Sequence, residues 1–402
     1  MIILRAIIIA GLLTLFCGTA HAQFGSLLLG QTRASCPGGV FTTTQTLTAN
    51  ATGICVSTTS GGCVVVNGGG TVTIEASQIG PCGQNNSTNA SQGIYITGNS
   101  TVNVYDSYIH VENQSSNCST FDSHDGIEVA NNGTAPVNVQ GNVIAYNGAN
   151  VRVYQASNVT VTGNFLLNPR GNIACSDPDN VGGDQVQAYG TSGTPNATIA
   201  VTHNYTISAL TGYLYPANSS DQLNFGYTTP ITASNNWIYL SQYANSGGIT
   251  IDTGSTAATI QNNVISNIYN AGIAIATGSN HVISGNKIVM TASGPNAAGI
   301  GLIGSANAPA ACGTIALTSN QSYAYQVAHS YVQGYYTDGY CTGVTLTSNT
   351  FDINCTTGVS CAAYAALNPL ATTNPPPLIP PLPKHCAAKS PYTTQTSAPR
   401  CA

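Results

Sequence analysis

The stretch Val139-Gln140-Gly141-Asn142-Val143-Ile144 decides the fold. It sets an apolar residue, two spacers, an Asn, one spacer and a second apolar residue in a row. The same phrase returns as Val161-Thr162-Gly163-Asn164-Phe165-Leu166, Ile260-Gln261-Asn262-Asn263-Val264-Ile265 and Ile283-Ser284-Gly285-Asn286-Lys287-Ile288. Looser copies centre on Asn204, Asn236, Asn320 and Asn349, and two earlier ones put Ser77 and Ser107 in the Asn place. From Asn142 onward the spacings are 22, 40, 32, 27, 23, 34 and 29 residues. The shortest reads as one bare coil and the longer ones as coils with insertions.

A second phrase lies between these copies. It is a period-two apolar pair, often after Gly: Gly93-Ile94-Tyr95-Ile96, Gly126-Ile127-Glu128-Val129, Gly248-Ile249-Thr250-Ile251, Gly272-Ile273-Ala274-Ile275 and Gly299-Ile300-Gly301-Leu302. Period two means strand, with the outer residues buried and the middle one facing out. Short strands recurring at such intervals predict an all-β chain folded as one parallel β-solenoid of about ten coils. At about 4.8 Å per coil the stack is roughly 48 Å long, and the Asn column is an internal amide ladder. Residues 67–367 are expected to form the solenoid, 23–66 a cap over its first coil, and 368–402 a Pro-rich, disulfide-tied tail. Pro375, Pro376, Pro377, Pro380 and Pro381 keep that tail out of a sheet.

Composition narrows the function. The chain has 402 residues, of which 42% are hydrophobic and only 5% charged, with a formal net charge of −5. A disordered chain combines low hydrophobicity with high charge, so that class is excluded. A long-helix protein rich in Glu, Lys and Arg is excluded as well. The 8 Lys and Arg residues cannot make the basic stripe that nucleic acid needs, so no nucleic-acid partner is expected. Arg5, the apolar run Ala6 to Phe16, and Ala20-His21-Ala22 before Gln23 read as a secretory signal peptide over 1–22. The mature chain is expected to be secreted, extracellular or periplasmic, monomeric and without a membrane partner. Of the 13 cysteines Cys17 falls in that segment, leaving an even number that suits disulfides in an oxidising compartment. Cys55–Cys63, Cys355–Cys361 and Cys386–Cys401 are the local pairs the spacing offers.

The insertions 113–123, 169–183, 209–220 and 321–338 fall between an Asn strand and the next apolar pair, so they stack as a wall on one side. Beside the wall runs the outward row Tyr95, Glu128, Arg152, Gln187, Asn224, Thr250, Ala274 and Gly301. The scarce charges collect there: Asp122, His124, Asp125, Glu128, Arg152, Arg170, Asp177, Asp179, Asp184 and Asp221. Asp125, Asp184 and Asp221 share one column, two residues before the strand's first apolar residue. Asp favours turns, which accounts for Asp177 and Asp179 around Pro178. Strand positions such as those of Glu128 and Arg152 call for no turn residue. Tyr213 and Tyr215 belong to an aromatic group beyond this wall, where flat rings suit the apolar faces of sugars; Tyr is also simply a good strand residue.

The coil pattern resembles the right-handed parallel β-helix of the pectate-lyase-like superfamily, over about residues 67–367. Asp122-Ser123-His124-Asp125 resembles the D-P-H-D string of the mannuronan C5-epimerases, with Ser123 in place of the Pro. That resemblance implies a uronate polysaccharide substrate, His124 as the base at C5, Asp122 and Asp125 as its supports, and Arg152 as the neutraliser of the substrate carboxylate. Neutralisation is what such chemistry needs, because the C5 proton is only weakly acidic until its neighbouring carboxylate is paired. Glu128, Arg170, Asp184, Asp221, Tyr213 and Tyr215 are the candidate substrate-binding residues. Arg152 among Glu128, Asp125 and Asp184 also suits the pectate-lyase arrangement of an Arg base with acidic Ca²⁺ ligands. No cofactor is required by the sequence, and Asp125, Glu128 and Asp184 would be the metal ligands if the protein is Ca²⁺-dependent. Two readings stay open: a lyase or epimerase acting by C5 proton abstraction, and a non-catalytic, adhesin-like or glycan-binding solenoid.

Overall fold

A computed structural model describes residues 40–41, 45–47, 64–75, 77–80, 92–111, 125–170, 183–208, 221–241, 247–268, 270–290, 298–304, 312–324 and 333–352. All lie in the compact unit Ser35–Ala402. The expected signal peptide, the tail 368–402, Asp122, His124, Tyr213, Tyr215 and the three proposed local cysteine pairs lie outside the described residues.

Among the described residues every strand pairing is parallel and no helix occurs. The chain visits three sheets in turn. One coil runs through Ile127–Gly133 in the first sheet, Val137–Gln140 in the second and Val143–Ala145 in the third. The next begins at Val151, in register on Ile127, and its strand Val151–Thr162 bends from the first sheet into the second. That shared strand joins the first two sheets into one of 21 strands, while the third has 10. The parallel β-solenoid expected from the repeats is therefore the observed fold. The ladder starts earlier than residue 67, because Val40–Phe41 and Gln45–Leu47 already pair with Val64–Val66 and Gly70–Glu75.

The interior is made of rows of like residues. Ile94, Ile127, Val151, Val186, Leu223, Ile249, Ile273 and Ile300 follow one another in register, each fully buried. Branched side chains stacked at strand spacing fill such an interior without large voids. The corner between the second and third sheets takes two residues, a left-handed one and then the ladder Asn. The first is Gly141, Gly163, His203, Asn235, Asn262, Gly285, Ser319 and Ser348 in successive coils, with φ between 54° and 70°. Gly, Asn and small polar residues tolerate that backbone best, which is why Gly so often precedes the Asn in the sequence phrase.

Each Asn then bonds to the next coil. Asn142 donates its backbone N–H (2.9 Å) and its side-chain N–H (3.0 Å) to Oδ1 of Asn164, and its side chain also donates to the Val104 carbonyl at 2.9 Å. The pattern continues through Asn204, Asn236, Asn263, Asn286 and Asn320 to Asn349. Ser107 enters the same column by giving its N–H to Asn142, and Ser77 gives its own to the Ser107 hydroxyl. A second polar column, between the first and second sheets, has no single-residue signature. It links Ser100 to Asn132, is interrupted at Ala156, whose N–H goes to Asn196, and continues from Asn196 to Thr228 and Ser255, with Thr277 taking the Gly254 N–H.

Cys312 and Cys341 form a disulfide between consecutive coils, each just before a strand of the second sheet. They lie 29 residues apart, so a search for short-range pairs passes over them.

Candidate functional site

The site is built on the outward row of the first sheet. Tyr95, Glu128, Arg152, Gln187, Asn224, Thr250, Ala274 and Gly301 are in unbroken register, as the spacing of the apolar pairs predicted. Outward does not mean open at every coil, since Glu128 is only 8% exposed. The corner that leads into these strands is tight. A Cβ on Gly126 would stand 2.6 Å from the Asn150 carbonyl oxygen, and one on Gly272 2.6 Å from that of Gly299. Close backbone approach explains the Gly before the apolar pair.

Arg152 and Asp125 form an ion pair at 3.7 Å, with side chains 15% and 4% exposed. Glu128 is the in-register neighbour of Arg152 on the preceding coil and accepts a 2.5 Å hydrogen bond from the Gln92 side chain. Gln92 occupies the column of Asp125, two residues before its strand, so the same offset that picks out the acids marks it too. Arg152 and Arg170 are the only Lys or Arg residues between Arg33 and Lys287. Arg170 is buried, and its backbone N–H binds the Asn147 carbonyl at 2.7 Å.

The acid column has a second role. Oδ1 of Asp125 accepts the Ala149 N–H at 2.6 Å, Oδ1 of Asp184 that of Asp221 at 2.9 Å, and Oδ1 of Asp221 that of Gly247 at 2.8 Å. Each carboxyl thus holds the backbone of the following coil. Burial and the neighbouring Asp221 charge push the Asp184 carboxyl well above the ordinary carboxylate range, against hydrogen bonds from the Asp221 backbone and the Gln187 side chain. Burial, with the Glu128 charge behind it, likewise raises the Tyr95 phenol.

The structure brings Asp125, Arg152 and Glu128 together and sets Asp184 and Asp221 beside them in one column. Among the described residues no three His, Cys, Asp or Glu side chains converge as a metal site. Sequence reasoning passed over Tyr189, whose hydroxyl donates a 2.6 Å hydrogen bond to Oδ2 of Asp252 from a neighbouring position on the same face. Among the described residues no helix is long and apolar enough to cross a membrane.

No protein-family model and no curated protein matches this sequence. Solved structures similar to the chain include the periplasmic alginate epimerase AlgG, at 9% identity and a TM-score of 0.45, covering 77% of this chain and 75% of that one. Another is a mannuronic-acid-specific polysaccharide family 6 lyase from human gut microbiota, at 11% identity and a TM-score of 0.38, covering 75% and 73%. The fold assignment rests on the strand pairings above.

Proposed function

We propose that the chain acts on a uronate-containing polysaccharide lying along the outward row of the first sheet, and that it removes the C5 proton as a lyase or epimerase. The observation that carries this reading is Arg152. In a chain with 5% charged residues, this guanidinium sits in the outward row of a strand, paired with Asp125 and next in register to Glu128. Partly burying such charges costs desolvation free energy, and a scaffold built from amides and aliphatics has no need of them. In this reading Arg152 pairs with the substrate carboxylate and lowers the barrier to carbanion formation at C5. His124, immediately before Asp125 in the chain, takes the C5 proton, with Asp122 and Asp125 setting its orientation. Expulsion of the C4 oxygen would then give an unsaturated uronate, and return of a proton to the opposite face would give the C5 epimer. Arg170, Asp184 and Asp221 would contact flanking sugars.

The backbone caps made by the acid column favour a second reading, a non-catalytic glycan-binding or structural rod. Two assays separate them. Polymannuronate, polyguluronate and polygalacturonate are incubated with the chain, and unsaturated uronate absorbance and C5 epimers are followed. His124→Ala is expected to lower turnover about 10²–10⁴-fold, the usual contribution of a positioned base, with an unchanged β-sheet circular-dichroism spectrum. Arg152→Lys keeps the charge beside Asp125 but loses the planar fork, so it tests carboxylate recognition without stranding a buried acid. Unchanged turnover in both variants sinks the mechanism, and an absence of turnover on every polymer leaves the rod.

A further inference from the structure

Tyr189 lies two residues beyond Gln187 on the same face of the first sheet, and Gln187 is in register with Arg152. Its ring rests on the next coil. A Cβ built on Gly226, the in-register partner of Tyr189, would collide with three atoms of that ring. The hydroxyl is tied down beyond Gly226 by the 2.6 Å bond to Asp252. Asp252 is itself oriented, since its Oδ1 accepts the Thr253 N–H at 2.6 Å and the Thr253 hydroxyl at 3.1 Å. Held at both ends, the ring cannot swing away from the sheet. One face lies on glycine backbone and the residue remains partly exposed. One coil on, the Tyr227 ring lies against another glycine, Gly254, from the turn that follows its strand. Two plates at consecutive coils are thus offered along the stack.

A plate in this position has a defined relation to the reacting centre. Tyr189 is one step across the sheet and one residue pair along it from Arg152, and its ring, lying over Gly226, is one coil farther, a diagonal of about 12 Å. That places the plate beside a sugar flanking the one at Arg152. An aromatic face fixed in advance binds the C–H face of a pyranose with little loss of conformational freedom.

We propose that Tyr189, pinned over Gly226 by Asp252, is a stacking platform for a sugar flanking the one held by Arg152, and that Tyr227 against Gly254 extends the platform. The inference rests on the polysaccharide reading and names a subsite within it.

The competing role is a cover that shields strand backbone at a glycine, and an aliphatic side chain does that equally well. Tyr189→Leu keeps the cover and loses the aromatic face, while Tyr189→Trp restores a face. Calorimetry with hexasaccharides of mannuronate, galacturonate and, as a neutral chain, β-1,4-glucose reads binding, and melting temperature reads the fold. A stacking platform predicts that Tyr189→Leu weakens the bound hexasaccharide about ten-fold or more and that Tyr189→Trp recovers most of the loss, at similar melting temperatures. Equal binding by wild type and Tyr189→Leu overturns the platform and leaves the polysaccharide reading intact. Binding only of the neutral hexasaccharide, lost in Tyr189→Leu, keeps the platform and overturns the uronate reading. Failure of wild type to bind any of the three overturns both.

Discussion

Two side-chain columns run along the solenoid, and they solve the same problem with different chemistry. At the corner of the second and third sheets, Asn204 receives the backbone N–H and the side-chain N–H of Asn164 at Oδ1. It passes on its own N–H and amide to Asn236 and gives a further bond to the Val161 carbonyl. At the entrance to the first sheet, Asp184 also accepts a backbone N–H from the next coil, but it has no donor to pass on. An amide is both donor and acceptor, so identical units complete one another and the ladder extends to any length. An ionised carboxyl only accepts, so adjacent copies repel, and burial beside Asp221 drives the Asp184 carboxyl toward its protonated form. The amide column is therefore a scaffold that runs from Asn142 to Asn349, whereas among the described residues acids fill the entrance column at Asp125, Asp184 and Asp221, on coils near Arg152 and Glu128.

The contrast is broken most severely by Asn204→Asp. Oδ1 would still accept, but the Val161 carbonyl would lose its side-chain N–H donor, Asn236 Oδ1 would lose one of its two donors, and a carboxylate would stand in a fully buried site. A loss of about 3–5 kcal/mol is expected in chemical denaturation, the range for an uncompensated buried charge. Asn349→Asp, at the partly exposed end of the ladder, should lose distinctly less. Equal losses at the two positions would show that the column does not act as a ladder.

Asp184→Asn makes the acid column resemble the amide one and has a smaller effect. The variant keeps the acceptor for the Asp221 N–H. In the wild type the folded-state pKa of Asp184 lies above its unfolded value, so the folded chain holds the proton more tightly. Stability from this group is full below the ordinary carboxylate pKa of 3.8 and is lost as pH rises through the raised value. The Asn variant has no such loss. The melting temperatures of the two proteins should coincide most nearly near pH 3 and separate in favour of Asp184→Asn as pH rises to 8. A gap that stays constant with pH would contradict this account.

His281 gives the smallest and opposite effect. It lies between the two solutions, a ring with one donor and one acceptor when neutral. Nδ1 accepts the Ala258 N–H at 3.2 Å, which leaves the proton on Nε2, 3.1 Å from the Thr277 carbonyl. Burial lowers its pKa, against the bond to Thr277. Its stability contribution is present above the ordinary value of 6.5 and is lost as pH falls through the lowered one. Thermal melts of wild type should fall slightly from pH 7 to 5, and His281→Gln should flatten that fall.

Much of the fold was legible in the residues. The Asn-centred phrase located every rung from Asn142 to Asn349, and even Ser77 and Ser107, because one corner geometry demands one residue pair in each coil. The outward row from Tyr95 to Gly301 was legible too, since period two assigns faces and a solenoid assigns neighbours. The gathering of Asp125, Glu128 and Arg152 followed from that register. The second polar column was hidden because Ser, Thr and Asn share its places, so no phrase repeats. Cys312–Cys341 was hidden because it joins coils and not sequence neighbours.

By itself, then, the sequence determined which residues share a column. In a parallel solenoid each coil repeats the backbone path of the last, and position within the repeat translates directly into position in space. What only the tertiary structure decided is which partner each polar group takes within and between columns. Asp125 and Asp184 hold the backbone of the following coil, whereas each Asn accepts from the preceding one, and Tyr189 lies over Gly226 to reach Asp252 two coils away. Those choices depend on side-chain direction and on distances of a few tenths of an ångström between coils, which residue spacing does not encode.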